Sequence, residues 1–78
     1  MSADQFNHLG YYDQMETVLR GTYLADRLTE HHYIRLYNLD CMYIEAFFDD
    51  DTHLISMFRA FEHTLFVLPY LEELHLAI

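Results

Sequence analysis

Between Gly21 and Glu62 the chain is a succession of four runs rich in tyrosine, phenylalanine, isoleucine and leucine, Thr22–Leu28, Tyr33–Asn38, Met42–Phe48 and Leu54–Phe61. The breaks between them, Thr29-Glu30-His31, Leu39-Asp40-Cys41 and Asp49-Asp50-Asp51-Thr52-His53, are built from turn-forming residues and span only a few positions. Aromatic and β-branched runs bounded in this way read as strands. A parallel pair needs a crossover of a dozen or more residues, so connections this short leave only antiparallel hairpins. The region 22–61 is therefore expected to fold as a four-stranded antiparallel meander.

Residues 1–20 read as helical. Ser2 and Gln5 have capping-box spacing, and Phe6, Leu9, Tyr12, Met15 and Leu19 recur at helical intervals. Gly10 interrupts the pattern and Asp13 with Glu16 offers a second start, so the firm part narrows to 12–20, ended by Gly21. The segment 63–76 reads as a second helical region. Pro69 fits poorly inside a helix and well in its first turn. The expectation is a short helix from Pro69, with Glu72 and Glu73 suiting its N-terminal dipole, preceded by a separate turn at Thr64–Leu68.

The middle hairpin decides which residues share a sheet face. A three-residue loop, Leu39-Asp40-Cys41, sets Leu36 opposite Ile44, Ile34 opposite Ala46, Tyr37 opposite Tyr43 and Arg35 opposite Glu45. A two-residue loop that puts Arg35 beside Ile44 leaves neither side chain with a complement. A slip of one residue exchanges faces. With the three-residue loop, one face carries Leu24, Ile34, Leu36, Met42, Ile44, Ala46, Phe48, Leu54 and Phe58, the expected core. The other carries Tyr33, Arg35, Tyr37, Tyr43, Glu45, Phe47, Ile55, Met57, Arg59 and Phe61. A water-facing sheet surface should alternate with polar residues, whereas this one mixes charge with large aromatics. Tyrosine and arginine are enriched at protein interfaces, so eight of these, Tyr33, Arg35, Tyr37, Tyr43, Glu45, Phe47, Met57 and Arg59, are the candidate contact surface; the competing reading is a half-buried Arg35–Glu45–Arg59 network under a covering helix. Across the next hairpin, Ala46 falls near Ser56 or Phe58, and Glu45 near Met57 or Arg59.

A chain of 78 residues makes one domain, and a small one that gains from outside support. A single cysteine, Cys41, excludes an internal disulfide and suits a reducing, cytoplasmic setting. A partner subunit is the leading source of support. The formal net charge of −9, with four arginines and no lysine, speaks against nucleic acid and anionic membranes as partners. The N-terminus has no secretory pattern, and no apolar run reaches the length of a bilayer span.

No constellation carries catalysis, a cofactor or a metal. Asp49, Asp50, Asp51 and His53 gather carboxylates in one turn, but consecutive side chains diverge and the spacing lacks the EF-hand glycine and late glutamate. His31 and His32 point to opposite sides of an extended segment. Cys41 sits beside Asp40, whose charge disfavours a thiolate. With only Gly10 and Gly21 there is no glycine-rich phosphate loop. Glu45 between arginines is held ionised, which is a structural role.

Gly21-Thr22-Tyr23-Leu24-Ala25, Ile34-Arg35-Leu36-Tyr37, Tyr43-Ile44-Glu45-Ala46-Phe47-Phe48, Arg59-Ala60-Phe61 and Leu68-Pro69-Tyr70-Leu71-Glu72 together resemble a group of short uncharacterised bacterial proteins. That group's pattern is a glycine-threonine-aromatic opening, hydrophobic strands and a closing Pro-Tyr-Leu motif; Leu68 stands where the pattern has an acid. The resemblance covers residues 21 to 74 and implies a compact natural domain, with no catalytic residues to carry over.

The fold expected from the sequence is α+β: an N-terminal helix, a four-stranded antiparallel meander and a short C-terminal helix. The expected role is a non-catalytic domain that pairs with itself or binds another protein. The alternative is an acidic inhibitor that mimics nucleic-acid charge with Asp49, Asp50, Asp51, Glu72 and Glu73.

Overall fold

Four strands, Thr22–Leu28 (β1), His32–Leu39 (β2), Met42–Asp49 (β3) and Ile55–Phe61 (β4), form one antiparallel sheet in the order β1-β2-β3-β4. The computed structural model describes residues 1–71, so positions 72–76 of the expected C-terminal helix, Glu72 and Glu73 among them, lie outside the described residues. Two helices, Ala3–Asn7 (α1) and Tyr11–Val18 (α2), precede the sheet. A 3-10 turn, Thr64–Val67, and helical residues 68–71 follow it. The α+β architecture and the meander match the expectation.

The helical region expected over 1–20, with its interruption at Gly10, is two helices separated there: Gly10 is extended (φ −69, ψ 163) and caps α2, which spans Tyr11–Val18 where 12–20 was expected. Ser2 and Gln5 form the full capping box of α1. Gln14 then donates through Nε2 to the Phe6 carbonyl at the end of α1, fixing the angle between the helices. The break turns Phe6 fully inward and leaves Tyr12 (82% exposed) and Leu19 (79% exposed) outside, although the sequence pattern puts them on the apolar stripe. Gly21 is needed at the junction with β1: a Cβ there would meet the Asn38 carbonyl at 3.1 Å and that of Val18 at 3.2 Å.

The middle hairpin departs from the expected register. Its loop has two residues, Asp40 and Cys41, and Leu39 pairs with Met42. Arg35 therefore lies opposite Ala46, Tyr37 opposite Ile44 and Leu36 opposite Glu45. The cause is local: Asp40 adopts φ 55, a left-handed conformation that suits tight hairpins and that aspartate tolerates better than most side chains. The third hairpin takes one of the two registers left open, with Ala46 opposite Phe58 and Glu45 opposite Arg59.

This register splits the expected core face in two. Met42, Ile44, Ala46 and Phe58 face the helices and join Ala3, Phe6, Val18 and Ala60 in one core, with Phe48 packed partly buried against it. Ile34 and Leu36 lie on the opposite face, in a second core with Phe61 and Tyr70. Leu24 and Leu54, expected inside, are exposed, while Ile55, expected on the other face, packs against the helix-side core because the irregularity between Phe47 and Phe48 shifts the pairing there. The sheet is thus apolar on both sides: the N-terminal helices cover one face and the C-terminal segment reaches across the other.

Candidate functional site

The eight residues expected to share one surface separate onto opposite faces. Tyr43, Glu45, Phe47, Met57 and Arg59 stay together beneath the C-terminal segment, whereas Tyr33, Arg35 and Tyr37 project from the face that carries the helices. Two distinct arrays result.

The first is closed. The Glu45 carboxylate is completely buried. Its Oε1 accepts from Nε (3.1 Å) and Nη2 of Arg59. Its Oε2 accepts from the Tyr70 hydroxyl at 2.7 Å and pairs with Nη2 of Arg27 at 3.5 Å. The expected network of Arg35, Glu45 and Arg59 is therefore corrected: Arg27 takes the place of Arg35. Arg27 opposes Ile34, diagonal to Glu45 across β2, and its guanidinium lies 5.2 Å from the Tyr70 ring centre. Burial first, then donation to the Glu45 carboxylate, raises the Tyr70 phenol above its ordinary range. Both oxygens of the acid are therefore engaged by donors from within the chain.

The second array is open. α1 and α2 pack mainly on β3 and β4, leaving the β1–β2 half of that face uncovered. There Asp26 lies opposite Arg35 and Tyr23 opposite Tyr37. One carboxylate oxygen of Asp26 accepts from both the Tyr33 hydroxyl (2.6 Å) and the Tyr23 hydroxyl (2.7 Å). These bonds, Tyr33's first, hold Asp26 below the usual carboxylate range. The same bond to Asp26, with a smaller contribution from burial, pushes the Tyr23 phenol up to about 12. Arg35 donates through Nε to the Tyr33 hydroxyl at 3.3 Å, and its guanidinium lies 5.4 Å from the Phe48 ring centre, 5.6 Å from that of Tyr33 and 5.9 Å from that of Tyr23. Tyr33 and then Tyr37 favour its charged form, raising its pKa further. Arg35 and Tyr23 remain exposed. Sequence reasoning missed Tyr23 and Asp26 because the bulge between Tyr23 and Ala25 shifts the alternation of β1.

The acidic turn is a self-satisfied structure. Asp49 Oδ1 accepts from the backbone N–H groups of Asp51 (2.8 Å) and Thr52 (3.1 Å), with Thr52 contributing most to lowering its pKa. No group of three or more His, Cys, Asp or Glu side chains converges as a metal site among the described residues. Cys41 is exposed in its hairpin, and its sulfur lies 3.9 Å from Glu62 Oε1. No helix among the described residues is long and apolar enough to cross a membrane.

Comparison of the chain with protein-family models, curated proteins and solved structures gave no match.

Proposed function

We propose that this chain is a non-catalytic protein-interaction domain that self-associates through the open Tyr23–Tyr33–Arg35–Tyr37 array. The observation that carries this reading is the order of that array while it faces solvent. Asp26 ties two phenol groups together and Arg35 lies among three rings. Tyrosine and arginine dominate the energetics of many contact surfaces, and side chains already held in place lose less entropy on binding. The closed Glu45 cluster supports a structural rather than chemical role for the most deeply buried acid. The expected contact surface keeps Tyr33, Arg35 and Tyr37, while Tyr43 and Glu45 belong to the second core.

The test is absolute mass by light scattering across a dilution series at moderate salt, for the native chain and for Arg35→Ala, Tyr33→Ala and Asp50→Ala. The expected outcome is a mass above that of the monomer, which Arg35→Ala and Tyr33→Ala confine to higher concentration and Asp50→Ala leaves unchanged. Added salt should alter it little, since the array is largely aromatic. A monomer throughout, or equal effects of the three substitutions, removes the case for this surface.

A further inference from the structure

The two outer edges of the sheet are treated unequally. Along β4, the Asn7 side chain accepts from the Ala60 N–H at 2.8 Å and donates to the Ala60 carbonyl at 2.9 Å. The Tyr11 hydroxyl donates to the Ile55 carbonyl at 2.7 Å. A primary amide offers the same donor–acceptor pair as a neighbouring strand, so the N-terminal helices occupy hydrogen-bonding positions along this edge. Along β1, no side chain among the described residues bonds the outer backbone. An open edge is a template for another strand, and proteins commonly blunt it with lysine, proline or a cover. β1 contains neither lysine nor proline, and Tyr23, Leu24 and Leu28 are exposed along it. Its bulge lies near one end and leaves Ala25–Leu28 in regular register with β2.

Charge narrows the choice of occupant. In residues 22–39, Asp26 and Glu30 are balanced by Arg27 and Arg35, so this hairpin has no formal net charge. The chain's −9 lies wholly outside it. A basic partner would be drawn to the acidic remainder. The β1–β2 hairpin is where two copies of so acidic a chain can meet with least repulsion.

We propose that the outer edge of β1 pairs antiparallel with β1 of a second copy about a two-fold axis, joining two four-stranded sheets into one of eight strands. The proposal rests on the self-association reading above and specifies its geometry. A two-fold edge pairing is isologous and closes after two copies. It sets the two uncovered Tyr/Arg strips side by side, with each copy's helices on the outer strands of the same face.

The experiment is residue-resolved amide hydrogen exchange of the native chain over a concentration series whose mass is followed in parallel by light scattering. Amides of β1 are expected to exchange about tenfold more slowly where the dimer predominates than at dilution, with the Ala60 amide unchanged. Leu24→Lys combined with Leu28→Lys should raise the dimer dissociation constant about tenfold or more by placing charge on the shared edge. A dimer whose β1 amides do not slow overturns edge pairing and leaves self-association standing. A monomer at every concentration overturns both, including one whose β1 amides are slow at all dilutions because the chain covers its own edge.

Discussion

The Tyr70 hydroxyl donates to Glu45 Oε2 across 2.7 Å, joining the C-terminal segment to the one fully buried carboxylate of the sheet. Of the residues before Tyr70, Leu65, Phe66 and Leu68 are exposed and Val67 packs partly buried against the same core, so Tyr70 is the one buried side chain among residues 63–71. Replacing Tyr70 by Phe keeps the ring and removes the bond. A hydrogen bond to a charged group contributes about 1.5–3 kcal/mol, and Tyr70→Phe is expected to cost that much in urea unfolding. The segment should also detach first, seen as faster proteolysis after Phe66 with the sheet still folded. Unchanged stability would show that apolar packing alone holds it.

Arg59 supplies both bonds to Glu45 Oε1, and Arg27 reaches only Oε2, at 3.5 Å. Arg59→Ala should therefore destabilise by about 3 kcal/mol, because it leaves Oε1 of a fully buried carboxylate without a donor from the chain. Removing acid and base together, as Glu45→Leu with Arg59→Met, should recover only part of the loss, because the Tyr70 hydroxyl and Arg27 are left without their acceptor. A double-mutant cycle in chemical denaturation measures the coupling. Arg35→Ala serves as the contrast, since it touches no part of this cluster and should cost far less.

The hairpin at Asp40 marks where the sequence stopped being legible. The number of strands, their order and their limits to within one residue followed from aromatic runs and turn residues, because those are local signals. Register did not, since one residue of loop length exchanges faces and the deciding feature is a single positive φ at Asp40. Asp40→Gly should be tolerated or slightly stabilising. Asp40→Val should cost about 1–2 kcal/mol, as a β-branched side chain resists the left-handed region. Thermal unfolding of the two variants gives the comparison, and equal midpoints would mean that the loop does not set the register.

The candidate site was half legible for the same reason. The residue types were visible, and Tyr33, Arg35 and Tyr37 keep their place in an exposed array. The alternation that grouped them with Glu45 failed at the hairpin. Asp26 was invisible because its partners depend on the β1 bulge, and Arg27 and Tyr70 because their partner lies two strands or a whole segment away.

The open array has a titration signature. Hydrogen bonding to Asp26 raises the Tyr23 phenol from 10.0 to about 12. Because the folded value is raised, the stabilisation from this bond is intact below about pH 10 and is lost as pH rises through 12. Asp26, lowered by the same contacts, contributes above its unfolded value near pH 4 and loses that contribution as pH falls through its depressed folded value. Phenolate absorbance of the native chain minus that of Tyr23→Phe isolates the Tyr23 transition. Asp26→Asn should move that transition back toward 10. A transition already at 10 in the native chain would dissolve the array as drawn.

Asn7 stands in for a fifth strand at β4, and its amide can do so only with both ends intact. Asn7→Ala deletes two bonds to Ala60, and at about 1 kcal/mol each the expected loss is about 2 kcal/mol. Asn7→Asp is the sharper test. It preserves the acceptor for the Ala60 N–H but turns a carboxylate oxygen toward the Ala60 carbonyl, where the amide donated, so it should be at least as damaging although nearly the same size. Either change uncovers part of a second sheet edge. If β1 already pairs with a second copy, an open β4 edge lets dimers add to one another, and light scattering should then show masses beyond the dimer that grow with concentration. Destabilisation without such growth would mean that Asn7 fastens α1 to the sheet and has no part in keeping the β4 edge closed.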